Sequence, residues 1–156
     1  MNAGEIMHRP VLATTPQASV RDIATKLVNH KISGMPVIER DGTLVGVITE
    51  EDIMRAMMEQ KALETLTAQD IMSKDLVAVR PDTSVEQVMQ LLHDEAIGRV
   101  PVTVAGRVVG IVSHADIIRA RLDEEFLTLG PKAAPISRQR RALGTRRKKA
   151  PPKKAR

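Results

Sequence analysis

The chain contains no cysteine, no tryptophan and no tyrosine, and Phe126 is its one aromatic residue. Without cysteine there is no disulfide, no thiolate nucleophile and no thiolate metal site. Without aromatics, the stacking platform that grips single-stranded nucleic acid is missing. No apolar run reaches the roughly 20 residues that a membrane-crossing helix needs, and the first thirty residues lack a signal-peptide pattern. A cytoplasmic address is the expectation. His8, His30, His93 and His114 show no metal-ligand spacing. No nucleophile with a partner base, no P-loop and no catalytic carboxylate pair can be made out, so no enzyme is expected.

What the chain does have is aliphatic. Hydrophobic residues make up 42% of its 156 positions, and Val, Ile, Leu, Ala and eight Met must fill any core. Such an interior is plastic rather than sharply keyed. The net charge of +5 conceals an asymmetry, because residues 130–156 carry 11 Lys or Arg and no acid. The other 129 residues hold 13 basic and all 19 acidic side chains. An acidic globule therefore precedes a Pro-punctuated basic tail with almost no large apolar residues, the composition of a disordered segment. Nucleic acid, an anionic membrane surface and an acidic protein all suit such a tail, as does a plain solubility role. Its contacts would be salt-sensitive and blind to sequence.

The body of the chain is written twice. With a shift of 65, Ile6-Met7 falls on Ile71-Met72, Pro16 on Pro81, Ser19-Val20 on Ser84-Val85, Ile32 on Ile97, and Pro36-Val37 on Pro101-Val102. After one deletion in a turn the shift becomes 64, and Gly46-Val47-Ile48-Thr49 falls on Gly110-Ile111-Val112-Ser113. Such a tandem is one folding unit repeated, and a site is expected where the copies meet.

Each copy reads strand, helix, strand, turn, strand, helix, an α+β plan. In the first, Val11 to Thr14 is a short strand candidate ended by Pro16, and Ser19 with Asp22 forms a capping-box pattern. The helix behind it sets Val20, Ile23, Ala24, Leu27 and Val28 on one stripe. Met35 to Ile38 and Leu44 to Ile48 are strands joined by the turn dipeptide Asp41-Gly42. The second copy repeats this plan with Leu76 to Val79, a helix capped by Ser84 with Gln87, Val100 to Thr103, a turn at Ala105-Gly106, Val108 to Val112, and a helix from Ser113. Neither copy alone would bury much surface, so pairing is the sensible outcome.

The repeated signature is a glycine, two apolar residues, a hydroxyl residue, two variable positions and an aspartate. It runs from Gly46 through Thr49 to Asp52, and from Gly110 through Ser113 to Asp116. A strand entering a helix N-terminus offers amides and a hydroxyl to a phosphate. The aspartate one turn in can accept the two hydroxyls of a ribose. A plainer reading stands beside this one. A hydroxyl N-cap with an acid at N3 is a capping box, which stabilises a helix by about 1 kcal/mol with no ligand.

The ordered landmarks together resemble a pair of CBS domains (cystathionine-β-synthase domains, the Bateman module). The resemblance covers about residues 3–128. It implies two pseudo-symmetric β-α-β-β-α repeats, CBS domain 1 over 3–64 and CBS domain 2 over 65–129, followed by the disordered tail at 130–156. It also implies a non-catalytic regulatory module that needs no cofactor and senses AMP, ADP or ATP between the paired copies. S-adenosylmethionine and NAD rank behind these. In one cleft Asp116 would hold the ribose and Ser113 the phosphate, with adenine against Met7, Leu12, Ile32, Ser33 and Gly34. In the other, Asp52 and Thr49 would take those parts, facing Met72, Val77, Ile97, Gly98 and Arg99.

Arg99 stands where the family often has a phosphate-contacting base, and His114 is a second candidate. Gly34 fills the equivalent place in the first copy. With Glu50 and Glu51 beside Thr49, the Asp116 cleft is the better candidate. The resemblance further implies a homodimer of pairs formed through helical stripes that include Val88, Met89, Leu92, Ile117 and Ile118, and a regulated partner of unknown identity. Two alternatives stand beside the sensor: a ligand-free dimerisation scaffold, and a protein that contacts nucleic acid through its tail.

Overall fold

The computed structural model describes residues 1–129, with side chains through residue 125. The basic tail lies outside the described residues. Ten elements follow one another: α1 (Ala3–Ile6), α2 (Val20–His30), β1 (Gly34–Ile38), β2 (Leu44–Thr49), α3 (Glu50–Met58), α4 (Ala68–Ile71), α5 (Val85–Asp94), β3 (Arg99–Val104), β4 (Arg107–Ser113) and α6 (His114–Leu129). Each copy contributes one antiparallel hairpin, β1 with β2 and β3 with β4. Register slips by one residue at Val37/Ile38 and again at Val102/Thr103, so even the irregularities repeat.

The expected opening strands, Val11 to Thr14 and Leu76 to Val79, shrink to one parallel bridge each, Thr14 with Val37 and Val79 with Val102. The cause is the proline that precedes the bridged residue in the partner strand. The Thr14 amide donates to Pro36 O at 3.0 Å, and the Ile38 amide donates back to Thr14 O at 2.8 Å. The next rung would need an N–H from Pro36, which has none. Pro101 stops the second copy's ladder at the same rung.

Capping differs from expectation at one helix. Ser19 makes no side-chain cap bond, so Ser19 and Asp22 do not form the box their spacing suggests. Ser19 pairs instead with Thr67, and the first amide of α2, that of Val20, donates to Leu66 O at 2.9 Å. The segment leading into α4 thus supplies the start of α2 with a partner. Ser84 with Gln87 does close its box.

The short helices are exchanged between copies. Ala3 of α1 is fully buried in the second copy's core, among Val79, Val85, Val88, Leu92, Val100, Val102, Val112 and Ile117. Ala68 of α4 is fully buried in the first copy's core, among Val20, Ile23, Leu27, Met35, Val37, Ile48 and Ile53. The same backbone bonds recur on both sides. The amides of Ala3 and Gly4 donate to Thr83 and Pro81 at 2.8 Å, and those of Ala68 and Gln69 donate to Ala18 and Pro16 at 2.9 Å. Beyond each helix the chain joins the outer edge of a hairpin, His8 opposite Ile111 and Ser73 opposite Val47. The two hairpins also meet at their turns, where the Leu44 amide donates to Gly106 O and the Val108 amide to Gly42 O. The pair is one interlocked body rather than two beads.

Candidate functional site

The repeated motif places a strand end, a helix start and an acid together in each copy. In the first, the Thr49 amide and hydroxyl both donate to Asp52 Oδ2 at 2.9 Å, and the Asp52 amide donates weakly to Thr49 Oγ1 at 3.4 Å. In the second, the Ser113 amide and hydroxyl donate to Asp116 Oδ2 at 2.8 Å, with the Asp116 amide at 3.4 Å from Ser113 Oγ. The capping reading is therefore correct as local structure. It does not remove the ligand reading, because the box engages one carboxylate oxygen only. The other, Oδ1, faces an arginine one turn on: Arg55 at 3.7 Å from Asp52 and Arg119 at 3.3 Å from Asp116. Both arginines are more than half exposed, while the two aspartates are only 12% exposed. Exposed pairs of this kind are weak and exchange readily. Each box thus holds its carboxylate in a fixed direction and leaves the second oxygen to an exposed arginine, which hydrogen-bonds it in Asp116 and ion-pairs with it in Asp52.

The motif glycines are set by the exchanged segments. A Cβ on Gly110 would lie 2.3 Å from Met7 Sδ, and one on Gly46 would lie 2.4 Å from Met72 Sδ. Met7 and Met72 are thereby seated on the strands that lead into Ser113 and Thr49. Leu12 and Ile32 pack against the first core, Val77 and Ile97 against the second. Gly98 O accepts the first amide of α6, that of His114, at 3.1 Å, and Ser33 O accepts the first amide of α3, that of Glu50, at 2.9 Å. The His114 side chain is exposed.

Arg99 joins the two copies. It opens β3 directly opposite Ser113, yet its guanidinium reaches the first copy, donating to Ser33 Oγ at 3.2 Å and to Gly34 O at 3.5 Å. It therefore lies between Ser113 and the Ser33-Gly34 wall. Its Nε is buried with no hydrogen-bond partner. Burial pulls the guanidinium below the ordinary arginine range, while Asp116 and Glu50 oppose that shift. Gly34, at the equivalent position, sits in a tight place, where a Cβ would lie 3.0 Å from Ile48 O and 3.1 Å from Thr49 Cγ2.

Two hollows lie around α3. One of about 180 Å³ is lined by Asp52, Arg55, Ala56, Glu59, Lys61, Asp70 and Ile71. The other, between Arg21 and the 60–64 segment, touches neither motif. The first is smaller than the roughly 300–1,000 Å³ of a formed small-molecule site. Neither is lined by Ser113 or Asp116. Among the described residues no cluster of His, Cys, Asp and Glu could hold a metal, and no helix is long and apolar enough to cross a membrane.

Comparison with known proteins gives this geometry a context. The CBS domain family matches residues 3–59 and again 68–123. A solved CBS domain pair of protein MJ0100, in complex with 5-methylthioadenosine and S-adenosyl-L-methionine, superposes with a TM-score of 0.71 at 30% identity, covering 80% of this chain and 98% of that one. CBSX2 in complex with AMP superposes at 0.69 with 28% identity, over 80% of this chain and 98% of that one. Inosine-5'-monophosphate dehydrogenase of Methanocaldococcus jannaschii is 30% identical over 122 residues, which are 76% of this chain and 23% of the dehydrogenase. The chain thus spans about a quarter of that enzyme's length.

Proposed function

Since the chain belongs to the CBS domain family, as a tandem pair, we propose that it is a non-catalytic sensor of an adenine nucleotide or related adenosyl ligand. The ligand enters between the copies and shifts the balance of two arrangements of the pair, which changes contact with a partner protein. A ligand moves such a balance only by binding one arrangement better. The observation that carries the reading is the pair of aspartates that give one oxygen to the cap and the other to an exposed, displaceable arginine. A capping box needs one oxygen of Asp116 or Asp52, and the second oxygen, beside an exposed arginine, suits a ribose diol. Two solved relatives that hold adenosyl compounds support the ligand class.

Ser113 and Thr49 then stand beside the phosphate, Met7 and Met72 beside the base. The ligand-free scaffold reading draws on the closed boxes. A calorimetric screen of the whole protein against AMP, ADP, ATP, NAD and S-adenosylmethionine separates the two. Saturable binding of an adenosyl compound is expected, weakened at least about tenfold in Asp116→Ala by loss of a charge-assisted hydrogen bond. Heats no larger than dilution for all five compounds leave only the scaffold.

Assembly as a homodimer belongs to the same proposal, but only part of the expected stripe is free for it, Met89 and Ile118 at 38 and 59% exposure. Val88, Leu92 and Ile117 are core residues at 0, 2 and 5% exposure and are not available to a partner. Exposed apolar residues also fall at equivalent places on α3 and α6. Met54 corresponds to Ile118 and Met58 to Leu122, with exposures of 60, 59, 80 and 41% in that order. Matching faces on the two copies suit a twofold partner. Sedimentation should show a dimer for the native chain and a monomer for Met58→Glu with Ile118→Glu. A dimer undiminished by both changes would exclude this face.

A further inference from the structure

The two copies are symmetric in nearly every contact, and Arg99 is where the symmetry fails. Its backbone lies opposite Ser113, the residue that starts α6. Its guanidinium lies on Ser33 and Gly34, and the Ser33 carbonyl accepts the first amide of α3. One side chain therefore stretches from the head of α6 to the head of α3, the two places where a phosphate would settle. The equivalent place in the first copy holds no second cation: it is Gly34, where a Cβ would crowd Ile48 O at 3.0 Å, and its carbonyl is already a partner of Arg99.

A guanidinium with a buried, unpartnered Nε and only neutral oxygens as acceptors is poorly compensated for leaving water. An anion at either helix head would supply what it lacks. A planar guanidinium can turn its fork fully to one phosphate only, and once turned it leaves the other cleft without a cation. That other cleft keeps its carboxylates, including Glu50 and Glu51 at the head of α3.

We propose that Arg99 is one counter-ion shared by both clefts, so that a pair takes one anionic adenosyl ligand tightly and a second at least about tenfold more weakly. The inference rests on the nucleotide reading above and adds its stoichiometry and ligand order. It makes Arg99 a positioning residue for ligand charge, in place of two equal sites that act independently.

The test is calorimetric titration of the full chain with two probes, AMP and the uncharged 5-methylthioadenosine. Native protein should bind AMP in two steps separated by at least about tenfold, and 5-methylthioadenosine in steps that are alike. Arg99→Gln should lose the tight AMP step and keep its affinity for 5-methylthioadenosine, which also shows that the variant is folded. Two equal AMP steps in the native chain, or a tight step unchanged in Arg99→Gln, would overturn the shared counter-ion while leaving the sensor reading intact. Binding of neither probe would overturn both.

Discussion

Removal of residues 1–8 should collapse the second copy, although those residues stand at the far end of the sequence from it. The segment makes five backbone hydrogen bonds there. Ala3 and Gly4 donate to Thr83 and Pro81, Val85 donates to Met1 O, and His8 and Ile111 exchange a pair. At about 1 kcal/mol net for each bond, the loss is roughly 5 kcal/mol before any apolar burial is counted. Ala3 at 0% exposure and Met7 against the same core add to it. A domain of this size has a total stability of about 5–15 kcal/mol, so the loss is a large share of the whole. Hydrogen exchange should report it locally, with α5 amides unprotected and α2 amides largely retained. An unchanged urea midpoint would show that the segment does not close the second core.

The motif glycines give the second large effect. Gly110→Ala places a methyl group where all three nearest atoms belong to Met7: Sδ at 2.3 Å, Cγ at 2.7 Å and Cβ at 3.0 Å. Overpacking of this kind costs about 1–3 kcal/mol. Met7→Ala should restore much of that loss, because the obstruction is one flexible side chain. Gly46→Ala meets Met72 Sδ at 2.4 Å but also the backbone oxygen of Ser73 at 3.0 Å. There Met72→Ala should rescue less, since the oxygen belongs to a paired segment that cannot step aside. Thermal melts of the two double-mutant cycles would measure the coupling directly. Equal and complete rescue at both sites would contradict the backbone contact at Ser73.

These two cases also mark what could be read from residues alone. The tandem, the hairpins and the long helices follow from a repeated pattern of apolar positions, and periodicity carries that information well. Exchange of the short helices does not. Ala3 and Ala68 are small residues in unremarkable surroundings, and only their common place relative to Pro81 and Pro16 hints at docking. The aborted ladders at Thr14 and Val79 were legible in principle, because Pro36 and Pro101 lack the N–H that the next rung requires. The Ser19/Asp22 spacing misled for a related reason. A tertiary partner, the 66–68 segment, took over part of what a local cap would have done. Nothing local explains the glycine of the repeated signature: its role is steric, to admit a methionine from the exchanged segment.

The site was legible in its parts and not in its joining. Thr49, Asp52, Ser113 and Asp116 stand out by spacing, and each pair does form a rigid hydrogen-bonded unit. The placement of Arg99 across the copies has no local signal, because 65 residues separate it from Gly34. What spacing also cannot give is the division of labour within one carboxylate, Oδ2 to the cap and Oδ1 beside an arginine. On the proposed reading, that division would let one aspartate serve as both a helix cap and a ligand contact.

Asp116→Asn isolates this dual role, since an amide keeps an oxygen for the cap and loses the charge that a diol would meet. The most direct measurement is the melting temperature of native chain and Asp116→Asn, each with and without saturating AMP. A nucleotide that binds only the folded pair must raise the native midpoint, by an amount that grows with its concentration. The account predicts that rise in the native chain and its loss in Asp116→Asn, with the two proteins melting close together when no nucleotide is present. An equal rise in both would remove Asp116 from the site, and no rise in the native chain with AMP or any other adenosyl compound would contradict the sensor itself.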